Sequence, residues 1–177
     1  LEQLAELDVD LLVLGKTEHS KNEINHADLS QYLLRHAHCD VIIVRPGSKD
    51  ARRCKHIVVP VAGGAHSMVA LKLADQVARQ QAAVLTALNI QPDSVEDPVA
   101  LGAYHIGQIL HKAGVEHAKH VHRRVETGNN IREIVNTVAS EDCDLVILGT
   151  SDHGAVSKLL FGTVDSHVMA GPVGTAV

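Results

Sequence analysis

DVDLLVLG at Asp8–Gly15 returns as DCDLVILG at Asp142–Gly149. Each stretch places two acids before a run of aliphatic residues that ends in glycine, a pattern typical of a buried strand followed by a turn. The second stretch lies 134 residues after the first, counted from Gly15 to Gly149. Because this interval is the size of a domain, the repeat predicts two copies of one folding unit.

The match continues without a gap beyond the motif, so that Val41–Ile43 falls on Thr175–Val177. A polar, turn-rich stretch after Pro46 reads as a linker between the two copies. Both ends of the chain fall within predicted elements, so a longer protein is expected on either side. The predicted segments are the C-terminal part of a first domain (1–47), a linker (48–54) and a second, nearly complete domain (55–177).

Strand-like and helix-like stretches alternate through the second domain. Runs of β-branched residues predict strands, and apolar residues three or four apart predict helices. The predicted elements are the strand His56–Val61, a helix with Ser67 as N-cap and Val69, Leu73 and Val77 in one row, the strand Val84–Leu88, a helix around Ile106–Ala113, a strand within Val115–Val125, a helix from Asn130, the strand Leu145–Leu148 and a helix over Thr163–Met169. This alternation predicts an α/β fold, with an open parallel sheet and helices on both faces.

Composition excludes several classes of function. The net charge is −5 and the Lys and Arg residues are scattered, so no nucleic-acid partner is expected. No apolar run is long enough to cross a bilayer, so this segment is not expected to insert into a membrane. Cys39, Cys54 and Cys143 lack any CxxC spacing. They favour a reducing compartment, and we expect a cytoplasmic location.

The later copy of the motif resembles the universal stress protein family. Asp144–Gly149, followed by Gly162 and Thr163, is similar to the glycine signature of that family, and Val58–Gly64 is similar to its first strand and turn. The resemblance covers nearly the whole chain. It implies a Rossmann-like domain whose five parallel strands follow the order 3-2-1-4-5.

The resemblance also implies a regulatory or sensory module that can bind ATP or AMP in the second domain. Ligands of open parallel sheets sit beyond the carboxyl ends of the strands where the strand order reverses. The family pattern places adenine against the backbone of Ile90, and it places phosphates on glycine-rich backbone at a helix N-terminus. The residues predicted to line this site are Ala62, Gly63, Ile90, Gly128, Gly149, Gly154, Gly162 and Thr163.

Departures from the family pattern keep a second function open. Ala62 stands where an Asp is usual and cannot accept a hydrogen bond from adenosine, and Asp152 replaces the second signature glycine with a charge that repels phosphate. The alternative is a structural dimerisation domain without nucleotide, such as the cytosolic appendage of a membrane transporter. Glu18 and Asp28 replace two signature glycines in the first copy, which is therefore predicted not to bind.

Other chemistries receive little support from the sequence. No Ser or Cys nucleophile has a base partner and no Walker lysine is present, so an enzyme is not expected, although weak ATP hydrolysis is a third reading. His120 and His122 fall on one face of a predicted strand and could take zinc, but exposed strand histidines explain them as well, and no metal site is predicted. Asp142 and Asp144 are interpreted as solvated acids, and Cys143 as a packing residue.

The final strand of each copy predicts the partner. In the family this strand commonly pairs two domains across a twofold axis. Val41–Val44 is therefore predicted to lie antiparallel to Thr175–Val177, which would close edges that otherwise invite aggregation. The predicted partner is the protein itself, either as a domain pair or as a homodimer.

Overall fold

The computed structural model describes residues 9–15, 36–45, 54–128, 133–134, 136–137, 140, 142–149 and 174–176. Within them the chain forms strands and helices that alternate after residue 55, as predicted. The elements are β1 (Leu11–Gly15), β2 (Asp40–Arg45), β3 (His56–Pro60), α1 (Ala65–Gln81), β4 (Val84–Gln91), α2 (Pro98–Ala113), β5 (Val121–Thr127), β6 (Leu145–Ile147) and β7 (Gly174–Ala176). Residues 133, 134, 136, 137 and 140 are also helical.

All seven strands form one sheet in the order β1-β2-β7-β6-β3-β4-β5. If β3 to β7 are renumbered 1 to 5 in chain order, their spatial order is 3-2-1-4-5. Within this group of five, all neighbouring strands pair in parallel. β1 and β2 are parallel to each other and extend the sheet beyond five strands. Strand direction reverses between β2 and β7, so the sheet formed by the described strands is mixed.

The two copies of the repeated motif have the same strand register. β1 pairs with β2 so that Leu11 lies opposite Asp40, and β6 pairs with β7 so that Leu145 lies opposite Gly174. Both residues of the first pair are displaced by the same 134 positions to give the second pair. Equal register means that the two motifs adopt the same local structure. The division of the chain into two domains at residues 48–54 stays a prediction.

The strand pairing predicted between the copies is present within this chain. β2 runs antiparallel to β7, with Val44 opposite Ala176 and Arg45 opposite Thr175. The partner that was predicted from this edge, a second domain or a second molecule, remains a prediction.

The core lies between the sheet and helices α1 and α2. Alternate strand residues such as Ile57 and Leu85 face the two helices, and both are fully buried. The intervening residues Val58 and Leu88 are also fully buried, so the opposite face of these strands is covered as well. Burial on both faces explains why the central strands are continuous aliphatic runs rather than alternating ones.

The start of α1 differs from the prediction. The helix begins at Ala65 with Gly64 as N-cap, and Ser67 lies in the first turn. The Ser67 hydroxyl accepts a hydrogen bond from the backbone N–H of Ala62 at 3.1 Å, so the buried side chain serves the preceding loop rather than the helix end. Val69 is exposed, because the alanine row beside it packs against the sheet.

The interpretation of Asp144 as a solvated acid is wrong. Its carboxylate accepts hydrogen bonds from the backbone N–H groups of Lys55, at 2.8 Å, and His56, at 3.0 Å. The side chain therefore ties the start of β3 to the start of β6. Cys143 beside it is fully buried, as expected of a packing residue, and burial raises the pKa of its thiol to about 12.

Candidate functional site

The carboxyl ends of β3, β4, β5 and β6 lie along one edge of the sheet because the four strands are parallel. Ala62 and Gly63 follow β3, Ile90 is the second-last residue of β4, and Gly128 and Gly149 follow β5 and β6. The structure thus brings five of the predicted site residues to one edge. Gly154, Gly162 and Thr163, together with Asp152, lie outside the described residues.

Two hydrogen bonds shape the loop between β3 and α1. The N–H of Val61 donates to the carbonyl of Leu88 at 2.8 Å, and the N–H of Ala62 donates to the Ser67 hydroxyl. The next residue, Gly63, has φ of +96°, which side chains rarely tolerate. The loop therefore turns sharply away from β4 immediately after Val61.

Gly149 lies against the first turn of α1. A Cβ atom added at this glycine would lie 2.1 Å from the carbonyl oxygen of His66 and 3.0 Å from the nitrogen of Ser67. No side chain fits there, because the neighbouring atoms belong to the backbone. Gly149 is therefore required for close packing of the β6 loop on α1, whatever part it has in binding.

The backbone of Ile90 faces the gap left by the departing loop. The N–H of Val84 donates to Lys55 and the carbonyl of Leu88 accepts from Val61, so even-numbered residues of β4 face β3. By the same alternation Ile90 faces β3, which ends at Pro60. Among the described residues, none hydrogen-bonds the N–H or the C=O of Ile90. One donor and one acceptor are thus presented side by side.

Gly128 closes the site on the side of β5. Its N–H donates to the carbonyl of Gln91 at 2.9 Å, which joins the end of β5 to the end of β4. Its φ is +123°, and an added Cβ would lie 3.3 Å from the Glu133 carboxylate. Both facts favour glycine here because the chain must turn immediately after β5.

Two hydrogen-bonded buried amides lie beneath the site, and they were not predicted from the sequence. Asn89 Nδ2 donates to the carbonyl of Val61 at 2.6 Å, Gln91 Nε2 donates to Asn89 Oδ1 at 2.5 Å, and Gln91 Nε2 lies 3.2 Å from His105 Nδ1. The two amides are 2% and 8% exposed. The sequence does contain a signal for them. Along β4, Asn89 and Gln91 occupy the same face as the buried Leu85 and Ala87, so two polar side chains were placed on a buried face.

Helix α2 covers these two amides at Gly102. An added Cβ at Gly102 would lie 2.5 Å from Val125 Cγ1 and 3.0 Å from Asn89 Oδ1. The missing side chain allows the helix to rest directly on β4 and β5. The glycine therefore seals the amides from water.

The histidines that could have taken zinc have other surroundings. His120 Nε2 lies 2.7 Å from Asp75 Oδ1, and the other carboxylate oxygen of Asp75 accepts from Arg79 at 2.8 Å. His122 is exposed on β5. Across the described part of the chain, no three His, Cys, Asp or Glu side chains are grouped as a metal site would require.

No helix among the described residues has both the length and the apolar character needed to span a membrane.

Solved structures share this fold. A universal stress protein crystallised in complex with cAMP matches with a TM-score of 0.52 and 19% identity, over 68% of this chain and 94% of that protein. One from Archaeoglobus fulgidus gives a TM-score of 0.64 at 16% identity, and one from Pseudomonas aeruginosa gives 0.61 at 18%. These two matches cover 98% of this chain but only 62% and 65% of the longer proteins.

A search of curated proteins found no match. A sequence model described as the universal stress protein family matches residues 53–171, which is more than half of the chain. The parallel sheet, its strand order and the glycine-containing loops at its carboxyl edge agree with that match. This chain belongs to the universal stress protein family.

Proposed function

We propose that this chain is a regulatory module that binds an adenine nucleotide at the carboxyl edge of β3, β4 and β6. The observation that carries the proposal is that the backbone N–H and C=O of Ile90 are open. They face the gap beyond Pro60 and have no hydrogen-bonding partner among the described residues. An N–H and a C=O without a described partner, on a half-buried strand residue, favour a ligand that satisfies both.

Adenine has the required chemistry. The base presents a ring nitrogen that accepts a hydrogen bond next to an exocyclic amino group that donates one. The N–H and the C=O of Ile90 offer the complementary pair. Recognition through backbone atoms also needs no acid at Ala62, the position where the family pattern has an Asp.

The rest of the nucleotide is proposed to extend towards Gly149. In this proposal the phosphates lie near Gly149, Gly154, Gly162 and Thr163, and the sugar lies near Ala62 and Gly63. The family membership and the neighbouring fold that holds cAMP support testing ATP, AMP and cAMP alike. The proposed role is regulation in the cytoplasm rather than catalysis.

The experiment is a thermal-shift titration with ATP, AMP and cAMP. GMP, which carries guanine in place of adenine, is the control nucleotide. A ligand present at 100 times its dissociation constant should stabilise the fold by about 2.7 kcal/mol. We expect a shift with at least one adenine nucleotide and a smaller one with GMP. No shift with any of them would refute nucleotide binding.

Ile90→Pro tests the peptide itself. Proline removes the N–H, which has no partner in the described sheet, but it also replaces the side chain and fixes φ, so an unfolding curve must first show that the variant is folded. Ile90→Val is the matched control, because it keeps the N–H. We expect nucleotide binding to be lost in the proline variant and kept in the valine variant. Equal binding by both variants would show that the base contacts another part of the edge.

A second function is favoured by the antiparallel pairing of β2 with β7. A module built for assembly would use such a pairing to join copies of the domain, without any ligand. Sedimentation of the protein with and without AMP separates the two functions. A self-associating chain that shows no nucleotide-induced shift would favour the structural role.

A further inference from the structure

We infer that Asn89 is a positioning residue that keeps the Ile90 peptide open for the base. This inference rests on the proposed function, because it concerns the same peptide. It adds a residue that does not contact the nucleotide, and it explains why the β3–β4 ladder stops where it does.

The ladder between β3 and β4 is regular up to Val61. Its rungs run from the N–H of Val84 to Lys55 and from the N–H of Val61 to Leu88, both at 2.8 Å. Continued by one step, the ladder would pair the N–H of Ile90 with the carbonyl of Val61. Among the described residues that rung is not formed.

The side chain of Asn89 takes its place. Nδ2 of Asn89 lies 2.6 Å from the carbonyl oxygen of Val61, which is the oxygen that the next rung would use. A side-chain donor thus satisfies the carbonyl, so the N–H of Ile90 is not drawn into the sheet. Local bonds of this kind compete with ladder bonds, and asparagine is well suited to them.

Gln91 and His105 hold the amide in this orientation. Asn89 Oδ1 accepts from Gln91 Nε2, so the donating end of the Asn89 amide must point at Val61. Gln91 Nε2 also lies within hydrogen-bond distance of His105 Nδ1. Because both amides are almost fully buried, a flipped Asn89 would leave two buried acceptors facing each other, which is costly.

The test compares Asn89→Leu, Gln91→Leu and the control Gln108→Leu. The control removes an exposed amide from α2 whose hydrogen bond, among the described residues, is to the Tyr104 hydroxyl. The first readout is hydrogen exchange of the Ile90 N–H without nucleotide. We expect fast exchange in the wild type and at least tenfold slower exchange in Asn89→Leu, because the freed carbonyl of Val61 can then accept the rung.

The second readout is AMP affinity by calorimetry. Loss of one hydrogen bond to the base should weaken AMP binding about tenfold in Asn89→Leu. Gln91→Leu should weaken it less, and Gln108→Leu should leave it unchanged. Unchanged AMP affinity in Asn89→Leu, with the wild type binding AMP, would overturn the inference.

The exchange readout stands apart from the proposed function. A wild type that binds no adenine nucleotide refutes the function, whereas slow exchange of the wild-type Ile90 N–H refutes the positioning role even if AMP binds. If Asn89→Leu fails to fold, the wild-type measurement still decides, because a protected Ile90 N–H contradicts an open peptide.

Discussion

The strand pairs β1–β2 and β6–β7 share their register and differ in their surroundings. Val13 on β1 is 57% exposed, whereas its counterpart Ile147 on β6 is 2% exposed. Ile147 packs in the core cluster with residues of α1 and its strand has β3 beside it, whereas among the described strands β1 pairs only with β2. Register therefore follows from the repeated sequence, whereas burial follows from the neighbours. Each pair of counterparts is a natural control for the other.

The largest effect on stability is expected from an Asp substitution at Ile147, compared with the same substitution at Val13. Ile147→Asp places a carboxylate in the core and should destabilise the protein by more than about 4 kcal/mol. Val13→Asp faces solvent and should change stability by less than about 1 kcal/mol. Urea unfolding of both variants measures the difference. Similar losses would mean that the exposed face of β1 is covered in solution.

The glycines that end the two motifs form the second comparison. Gly149→Ala would force a methyl group into the backbone of α1 and should cost about 2–3 kcal/mol. Gly15→Ala meets no atom of the described residues within 4 Å and should be neutral within about 0.5 kcal/mol. Denaturant midpoints give both values. A tolerated alanine at residue 149 would show that the β6 loop is not seated on α1.

The acids before the two strands should differ by a smaller amount. Asp144→Ala leaves the N–H groups of Lys55 and His56 without their acceptor, and should cost about 1–2 kcal/mol. Asp10 is exposed, and its alanine variant should match the wild type. Thermal unfolding of the two variants compares them. Equal melting temperatures would contradict the role of Asp144 as a tie between β3 and β6.

The smallest effect is expected from Cys143→Val. In the first copy of the motif the equivalent position is already a valine, Val9. The swap nearly conserves volume, so stability at pH 7 should change by less than about 1 kcal/mol. Since burial raises the pKa of this thiol from 9.0 to about 12, the unfolded chain loses the proton first as pH rises. Stability linked to the thiol is therefore complete below pH 9 and declines between pH 9 and 12.

Unfolding at pH 7 and pH 10 measures this linkage. The wild type should lose about 1 kcal/mol more than Cys143→Val between the two values, since one pKa unit corresponds to about 1.4 kcal/mol. Equal losses in the two proteins would show that Cys143 is not buried in the folded state.

Strands with strong β-branched patterns were predicted well from sequence. The prediction for His56–Val61 agrees with β3 to within one residue, and the repeat anticipated the matched register of β1 and β6. These features depend on local pattern and on self-similarity, both of which are visible in a single sequence.

The parts that were missed depend on tertiary neighbours. Serine is a residue type that commonly caps helix N-termini, but the Ser67 hydroxyl instead accepts a hydrogen bond from the N–H of Ala62 in the preceding loop. Asn89 and Gln91 look like exposed polar residues until α2 is placed over them at Gly102. Only the close approach of the helix shows that they are buried and must bond each other.

The reversal of strand direction between β2 and β7 places the ends of the two repeated motifs on opposite edges of the sheet. Gly15 and Gly149 end equivalent strands that run in opposite directions, so they project from opposite rims of one sheet. A small molecule held at one rim cannot reach the other. Among the described residues, the two rims are joined through the antiparallel pairing of Val44 with Ala176 and of Arg45 with Thr175.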